Sequence, residues 1–397
     1  MNKDKSLQTK FALVMFFMYM GHAFAYTLIL PYLSYLGYSS LQQGKMMALG
    51  ALLTLIFQFY VGYLCDKYQT DKIAFYLVCL LYAFINWLFY RFLDNPAFLV
   101  VLYVALVSTL FRIARTTLDC WIIESGNSLR ANYGGIRAFG SGGWALAAPL
   151  TSYLLAKGGY AALGDVFVLI TVITLVISYF IADAAKTKTT EKIKLSDLKV
   201  LLTNINYILY TVIFLMVFTA LTAEGYIVTY KIMQLAEKQA LLEAEIAALI
   251  GYKSAIAAIC ELPVYFIGAG FLKRFGTIKT LLAATVVLML KFLLLALAST
   301  TGQILWLTAL TIVTLPFFII CCRLLIAELT PNHLMASGQQ LSAAIYGGIS
   351  ALLAPLLFGW LGQTFGNNFA LLVLALSMGL PLLLLFWSQR SMKKQVG

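Results

Sequence analysis

The feature that most constrains this chain is the recurrence of apolar runs about as long as a membrane-crossing helix, each closed by charge, Gly, Pro or Asn and soon followed by the next. A helix needs about 20 apolar residues to cross about 30 Å of hydrocarbon. Breaking the sequence at those interruptions predicts twelve spans, at 11–34, 45–65, 73–93, 97–123, 133–156, 165–183, 206–230, 244–270, 278–299, 304–328, 337–363 and 368–389. Composition points the same way: 62% of the 397 residues are hydrophobic and 11% charged, against roughly 45–50% and 25% in soluble domains. Soluble, disordered, collagenous and disulfide-stapled classes are therefore excluded. The expected fold class is all-α integral membrane, with twelve transmembrane helices.

Charge sets the expected topology. Loops on the side of the N-terminus carry 17 Lys and Arg, the opposite loops five, namely Lys45, Arg91, Lys157, Lys231 and Lys238. The positive-inside rule then places both termini in the cytoplasm of a multi-pass protein of the cell membrane. The net charge of +12 is mostly this asymmetry, so no nucleic-acid partner is expected. The basic start (Lys3, Lys5, Lys10) runs into an apolar segment of full spanning length, which reads as a retained first helix. The six cysteines fall in or beside apolar segments without a CxxC pair, and read as packing residues rather than disulfides or a zinc site.

The polar stretch from Asp183 to Asn204 sits near the midpoint and reads as a linker. The expected organisation is a six-helix bundle over 1–183, a cytoplasmic linker over 184–205 and a second six-helix bundle over 206–397. An internal match supports it. A shift of 207 lays Lys67 and Lys72 on Arg274 and Lys279, and a shift of 206 lays Ala145, Leu146, Ala148, Pro149 and Leu150 on Ala351, Leu352, Ala354, Pro355 and Leu356. Parallel repeats with a site near mid-membrane are a transporter architecture.

Six basic residues fall inside spans: Arg112, Arg115, Arg137, Lys253, Lys291 and Arg323. Acidic counterparts are Asp119, Glu124, Glu224, Glu261 and Glu328, and His22 lies near the middle of the first span. Each costs on the order of 2.5 kcal/mol or more at mid-bilayer, so such groups face a partner or a water-filled space. Arg112, Arg115 and Asp119 are spaced three and four apart, which puts them on one face of the fourth helix. Arg137 begins the fifth helix and can meet Asp119, either as a packing ion pair or as part of a substrate site. Trp144 lies two turns beyond Arg137 on the same face, where an indole offers a flat surface to a sugar ring or base. Glu261 and Lys291 fall at similar depths on the eighth and ninth helices, and a pair made and broken there can take up and release a proton. Glu224 is nearer the outer surface, and His22 is either a site group or a hydrogen-bonded packing residue.

The segment Tyr133-Gly-Gly-Ile-Arg137-Ala-Phe-Gly140-Ser-Gly142-Gly-Trp144 resembles the fifth-helix signature of the sugar and nucleoside proton symporters of the major facilitator superfamily. Gly62-Tyr-Leu-Cys-Asp66-Lys67 resembles that superfamily's loop between helices two and three, and Glu328-Leu-Thr-Pro331 with Gly338-Gln339 and Tyr346-Gly347-Gly348 its passage from helix ten into eleven. The resemblance, in its lactose-permease-like form, implies that Asp119 and Arg137 hold solute hydroxyls and that Trp144 stacks on the ring; His22 and Arg115 are further binding candidates by their place within the spans. The resemblance does not extend to that permease's coupling machinery: Glu261 and Lys291 resemble acidic and basic positions common in helices eight and nine of the broader branch, and the proton-coupling candidates are Glu261, Lys291, Asp119 and Glu224. The loop resemblance implies a gating loop of Gly62, Asp66 and Lys67 in which Asp66 caps helix eleven. A proton-driven importer of a sugar, oligosaccharide or nucleoside, acting as a monomer, is the leading expectation; an exporter of drugs or metabolites by proton antiport is the runner-up. The sequence holds no phosphate-binding glycine loop, so no cofactor is expected beyond the proton gradient. With only two histidines and no cluster of nucleophile, base or metal ligands, it is not expected to be an enzyme.

Overall fold

The computed structural model describes residues 2–91, 97–184, 195–331 and 335–396. The first part runs through α1 (Asn2–Tyr26), α2 (Ile29–Tyr35), α3 (Ser40–Tyr68), α4 (Lys72–Arg91), α5 (Ala97–Glu124), α6 (Asn127–Ala131) and α7 (Tyr133–Tyr179). The second runs through α8 (Leu195–Thr203), α9 (Ile205–Lys238), α10 (Glu243–Phe275), α11 (Thr277–Leu297), α12 (Thr301–Thr308), α13 (Leu315–Glu328), α14 (Met335–Ala343), α15 (Ser350–Phe365), α16 (Asn367–Ser377) and α17 (Gly379–Val396). Ten residues of the predicted linker, 185–194, lie outside the described residues, and the part after them forms the short α8.

Eleven helical stretches are long and apolar enough to cross a membrane. One of them, α7, is 47 residues long and breaks at Gly159, where φ is 65° and ψ −166°. At about 1.5 Å per residue it would extend about 70 Å, more than twice the hydrocarbon thickness. Residues 133–158 and 160–179 are therefore two crossings, which gives twelve among the described residues.

Backbone geometry repeats at the offset seen in the sequence. Gly159 has its counterpart 207 residues on in Gly366, at φ 86°, between α15 and α16. Gln69 (φ 56°), which ends α3, has its counterpart in Gly276 (φ 82°), which ends α10. Gly44 and Gly251 are also 207 apart, and a Cβ on either would meet a backbone carbonyl oxygen, that of Pro355 at 2.2 Å and that of Ala148 at 2.4 Å. Three pairs of special backbone positions at one offset are the signature of a duplicated unit.

The chain divides into two compact units. Unit 1 comprises Met1–Tyr38, Lys45–Lys188 and Ile232–Leu262; unit 2 comprises Ser39–Gly44, Thr189–Lys231 and Pro263–Gly397. In each, the tip of one helix has joined the other repeat: the start of α3 packs on α15 through Gly44 and through the Ser40 hydroxyl, which donates to the Gly359 carbonyl at 3.1 Å. The start of α10 packs on α7 through Gly251 and through the Tyr160 hydroxyl, which donates to Glu243 Oε1 at 2.8 Å.

Two spans expected to be continuous are interrupted. The predicted 304–328 span arrives as α12, a tight 3-10 turn over Ala309–Val313 and α13. Pro316 opens α13 and, having no N–H and restricting Leu315, cannot continue the preceding ladder. The predicted 337–363 span widens into a π segment over Ala344–Ile349, at the Gly347-Gly348 pair.

Candidate functional site

Unit 1 gathers the charges expected of a binding wall. Arg112, Arg115 and Asp119 stand on α5, Tyr133 and Arg137 on α7, Tyr19 and His22 on α1. Tyr19, Arg115, Asp119 and Tyr133 all act electrostatically on Arg137, and Arg112 and Arg115 both act on the His22 ring. Asp119 and Arg137 are thus within electrostatic reach of one another. The Arg137 guanidinium lies 4.3 Å from the centre of the Tyr19 ring, a cation–π geometry that holds the fork in place while leaving its N–H groups free to point elsewhere.

The glycines of the fifth-helix motif have separate physical reasons. A Cβ on Gly143 would sit 2.1 Å from the Phe16 carbonyl oxygen, so Gly143 allows α7 to lie against the α1 backbone. A Cβ on Gly140 would meet an Arg137 guanidinium nitrogen and the Tyr19 ring, each at 2.9 Å, so Gly140 keeps open the space in which that pair stacks. Gly134 and Gly135 face open space.

His22 is buried beneath an aromatic stack. Its ring lies 3.4 Å from that of Phe111, nearly parallel, and 5.1 Å from Tyr26, with Trp144 edge-on at 5.4 Å. Nδ1 shares a 2.6 Å hydrogen bond with the Tyr82 hydroxyl. The polar chain continues inward, since Asn86 bonds the Tyr82 carbonyl and accepts from the Tyr103 hydroxyl at 3.0 Å. These bonds fix the imidazole, and the half-buried Trp144 stands against it, a contact the sequence did not suggest. The tyrosines that complete the wall were not singled out from the sequence, where 23 of them carry no distinguishing spacing.

Unit 2 holds a different centre. Lys291 was expected to pair with Glu261; its Nζ lies 2.6 Å from Glu224 Oε1 and donates to the Thr311 hydroxyl at 2.9 Å. The reason is depth. Lys291 is fourteen residues into α11, about 21 Å at 1.5 Å per residue, which puts it past the middle of its span, in the same half as Glu224 on α9. Thr311 sits in the 3-10 turn between α12 and α13, so the break in that span brings its hydroxyl to the ammonium. Nearby on the same helix as Glu224, Phe218 stacks on Tyr346 of the π segment at 4.6 Å. Glu261 stands half-buried on α10.

Lys231, counted from the sequence among the outer-loop lysines, is 2% exposed. Its Nζ donates to the carbonyls of Leu295 at 2.5 Å and Ala296 at 2.9 Å, at the C-terminal end of α11. A cation on those orphan carbonyls stabilises the helix end. α9 continues to Lys238, eight residues beyond the predicted span, and carries Lys231 with it.

Of the expected gating loop, the Asp66 side chain lies outside the described residues. Gly62 faces open space, and Lys67 is exposed over the rings of Tyr63 and Tyr68 at 5.9 and 5.5 Å. The anchor of this region is Asp183, whose Oδ1 accepts the N–H groups of Asp71 and Lys72 at the start of α4, at 3.3 and 3.2 Å. Lys72 Nζ in turn donates to the carbonyls of Tyr179 and Ile181 beyond α7, at 3.0 and 2.7 Å. Each helix end is thus satisfied by the charge its dipole favours.

Solved structures of similar fold include transporters. A variant of the nucleoside transporter NupG superimposes with a TM-score of 0.81 at 13% identity, covering 96% of this chain and 99% of that one. NupG itself gives 0.75 at 15% identity, over 98% and 99%, and a POT family transporter in complex with 5-aminolevulinic acid gives 0.73 at 11% identity, over 96% of each. No curated protein matches the sequence. The family match covers residues 11–346 and, with twelve crossings in two repeats, shows that the chain belongs to the Major Facilitator Superfamily of membrane transporters.

Proposed function

We propose that this transporter is a proton-coupled symporter of a small hydroxylated solute, of the sugar or nucleoside kind, working by alternating access. The observation that carries the reading is the wall of unit 1, where Arg115, Asp119 and Arg137 cluster beside Trp144 and a fixed His22. Arginine forks and a carboxylate supply directional hydrogen bonds to a solute's polar groups, and the indole supplies a flat apolar face. The likeness to a nucleoside transporter fits such a solute.

Proton coupling is assigned to Glu224 with Lys291. While Glu224 is ionised, the pair is locked at 2.6 Å; a proton on Glu224 removes the attraction and leaves Lys291 on Thr311 alone. That is a two-state element able to link protonation to a rearrangement of α9 against α11. The test uses purified protein in liposomes with an entrapped pH dye and a panel of sugars and nucleosides. Solute added outside acidifies the lumen of wild-type vesicles, and Arg137→Ala and Asp119→Asn vesicles show no response. Wild-type response in both variants would remove the proposed site.

A further inference from the structure

One buried threonine of unit 2 departs from the pattern of its neighbours. Thr229, Thr280, Thr285 and Thr308 each turn their hydroxyl back to the carbonyl four residues earlier, at 2.7–2.8 Å, the habit of a threonine inside an α-helix. Thr311, 6% exposed, accepts instead from the Lys291 ammonium at 2.9 Å. The 3-10 turn over Ala309–Val313 is the cause, because it takes Thr311 out of the α-helical register and brings its hydroxyl to α11. Thr314 secures that geometry, since its N–H and its hydroxyl both donate to the Thr311 carbonyl, at 3.1 and 3.3 Å.

Lys291 is 1% exposed, and among the described residues its ammonium meets two acceptors, Glu224 Oε1 and the Thr311 hydroxyl. The other charges of this region stand apart from the pair. α12, the 3-10 turn and α16, which pack on α11, carry no charged residue. On α13 the titratable groups, Cys321, Cys322, Arg323 and Glu328, come ten or more residues after Thr311, and the charges of α17 begin at Arg390. On α11 itself Lys279 is twelve residues before Lys291. On α9, Lys231 lies two turns beyond Glu224 and is taken up by the Leu295 and Ala296 carbonyls, and Tyr346 of the π segment stands against Phe218, six residues before Glu224. When Glu224 gains a proton, Thr311 is therefore the group left to hold a buried ammonium, and a buried cation without an acceptor is costly.

Resting on the assignment of proton coupling to Glu224 and Lys291, we infer that Thr311 is a positioning residue for that step: its hydroxyl lets Glu224 gain a proton without stranding the Lys291 cation, and it keeps α11 fastened to the broken crossing α12–α13 while the hold on α9 is released. The break in this crossing thus serves the proton switch, by presenting as an acceptor a hydroxyl that a continuous helix would turn back on itself.

The experiment needs no solute. Infrared spectra of purified full-length protein are recorded as the pH is lowered, following the carbonyl stretch of a protonated buried carboxyl, with Glu224→Gln identifying the band that belongs to Glu224. The hydroxyl matters most to Lys291 when Glu224 is neutral, so Thr311→Val, which keeps the shape and removes the hydroxyl, should move the midpoint of that band about one pH unit lower, about tenfold weaker proton binding, the worth of one hydrogen bond to a charged group. Thr311→Ser should stay close to wild type. Thermal melts give a second reading: Thr311→Val should lower the melting temperature more in the Glu224→Gln background, where Lys291 depends on the hydroxyl, than in wild type. A midpoint that is unmoved or raised in Thr311→Val, or an equal loss of melting temperature in both backgrounds, makes Thr311 a packing residue and overturns the inference while the coupling pair stands. The absence of any band lost in Glu224→Gln, over the pH range in which the protein stays folded, overturns the coupling assignment and the inference with it.

Discussion

The two repeats use the same backbone and different chemistry. Gly44 and Gly251, Gln69 and Gly276, and Gly159 and Gly366 occupy equivalent backbone positions 207 residues apart, so the scaffold was copied and kept. The charged centres were not. Unit 1 presents three arginines and one aspartate beside aromatic rings, and unit 2 the ion pair Glu224–Lys291, seated on Thr311, besides Lys231 on its helix-end carbonyls. A centre rich in directional donors is suited to hold a ligand, and a self-neutralised centre is suited to switch when one partner is protonated. On the function proposed above, recognition falls to one repeat and coupling to the other.

The largest effects should come from breaking either centre. Arg137→Ala is expected to lower uptake at least a hundredfold with expression largely intact, read as initial rates normalised to protein in the membrane. Lys291→Ala leaves Glu224 buried without its cation and should destabilise the protein by about 3–5 kcal/mol, seen as a lower melting temperature in detergent. The double change Glu224→Ala with Lys291→Ala should recover much of that loss; a double variant as unstable as the single one would show that the pair is not a self-contained unit. Trp144 comes next. Trp144→Phe should keep a measurable fraction of uptake and Trp144→Ala much less, and equal full activity in both would make Trp144 a packing residue.

The scaffold comparison predicts smaller, matched effects. Gly44→Ala and Gly251→Ala each push a methyl group onto a carbonyl oxygen and should cost a similar amount, about 1–3 kcal/mol; a large effect at only one would break the equivalence of the repeats. The smallest effect is at the helix ends. Gln69 holds a left-handed conformation that Gly276 adopts freely, so Gln69→Gly should stabilise by about 1 kcal/mol and Gly276→Ala destabilise by a similar amount, both visible in thermal melts.

What could be read from the sequence follows from how local each signal is. The crossings were legible because an apolar run of fixed length has one use, and the duplication because short motifs recur at one offset. The shared faces were legible because helix periodicity places Arg112, Arg115 and Asp119 along one face of α5 and Arg137 with Trp144 along one face of α7. Three features were not. The partner of Lys291 depended on depth, and the expected span limits placed Lys291 too deep and Glu224 too shallow to meet. Lys231 lay one residue past the expected end of its helix, and only the continuation of α9 to Lys238 brings it onto the end of α11. The breaks at Ala309–Val313 and Ala344–Ile349 leave a continuous apolar run in the sequence, with Pro316 and the Gly347-Gly348 pair as the only marks.

The division of labour between the repeats is tested most directly by Glu224→Gln, comparing two rates in one preparation of liposomes: exchange of labelled for unlabelled solute at equal pH, and accumulation driven by an inward proton gradient. The amide stands in for the protonated carboxyl and cannot release its proton. The account predicts exchange within about threefold of wild type with accumulation and luminal acidification abolished. Accumulation at the wild-type level, or loss of exchange and accumulation together, would contradict it.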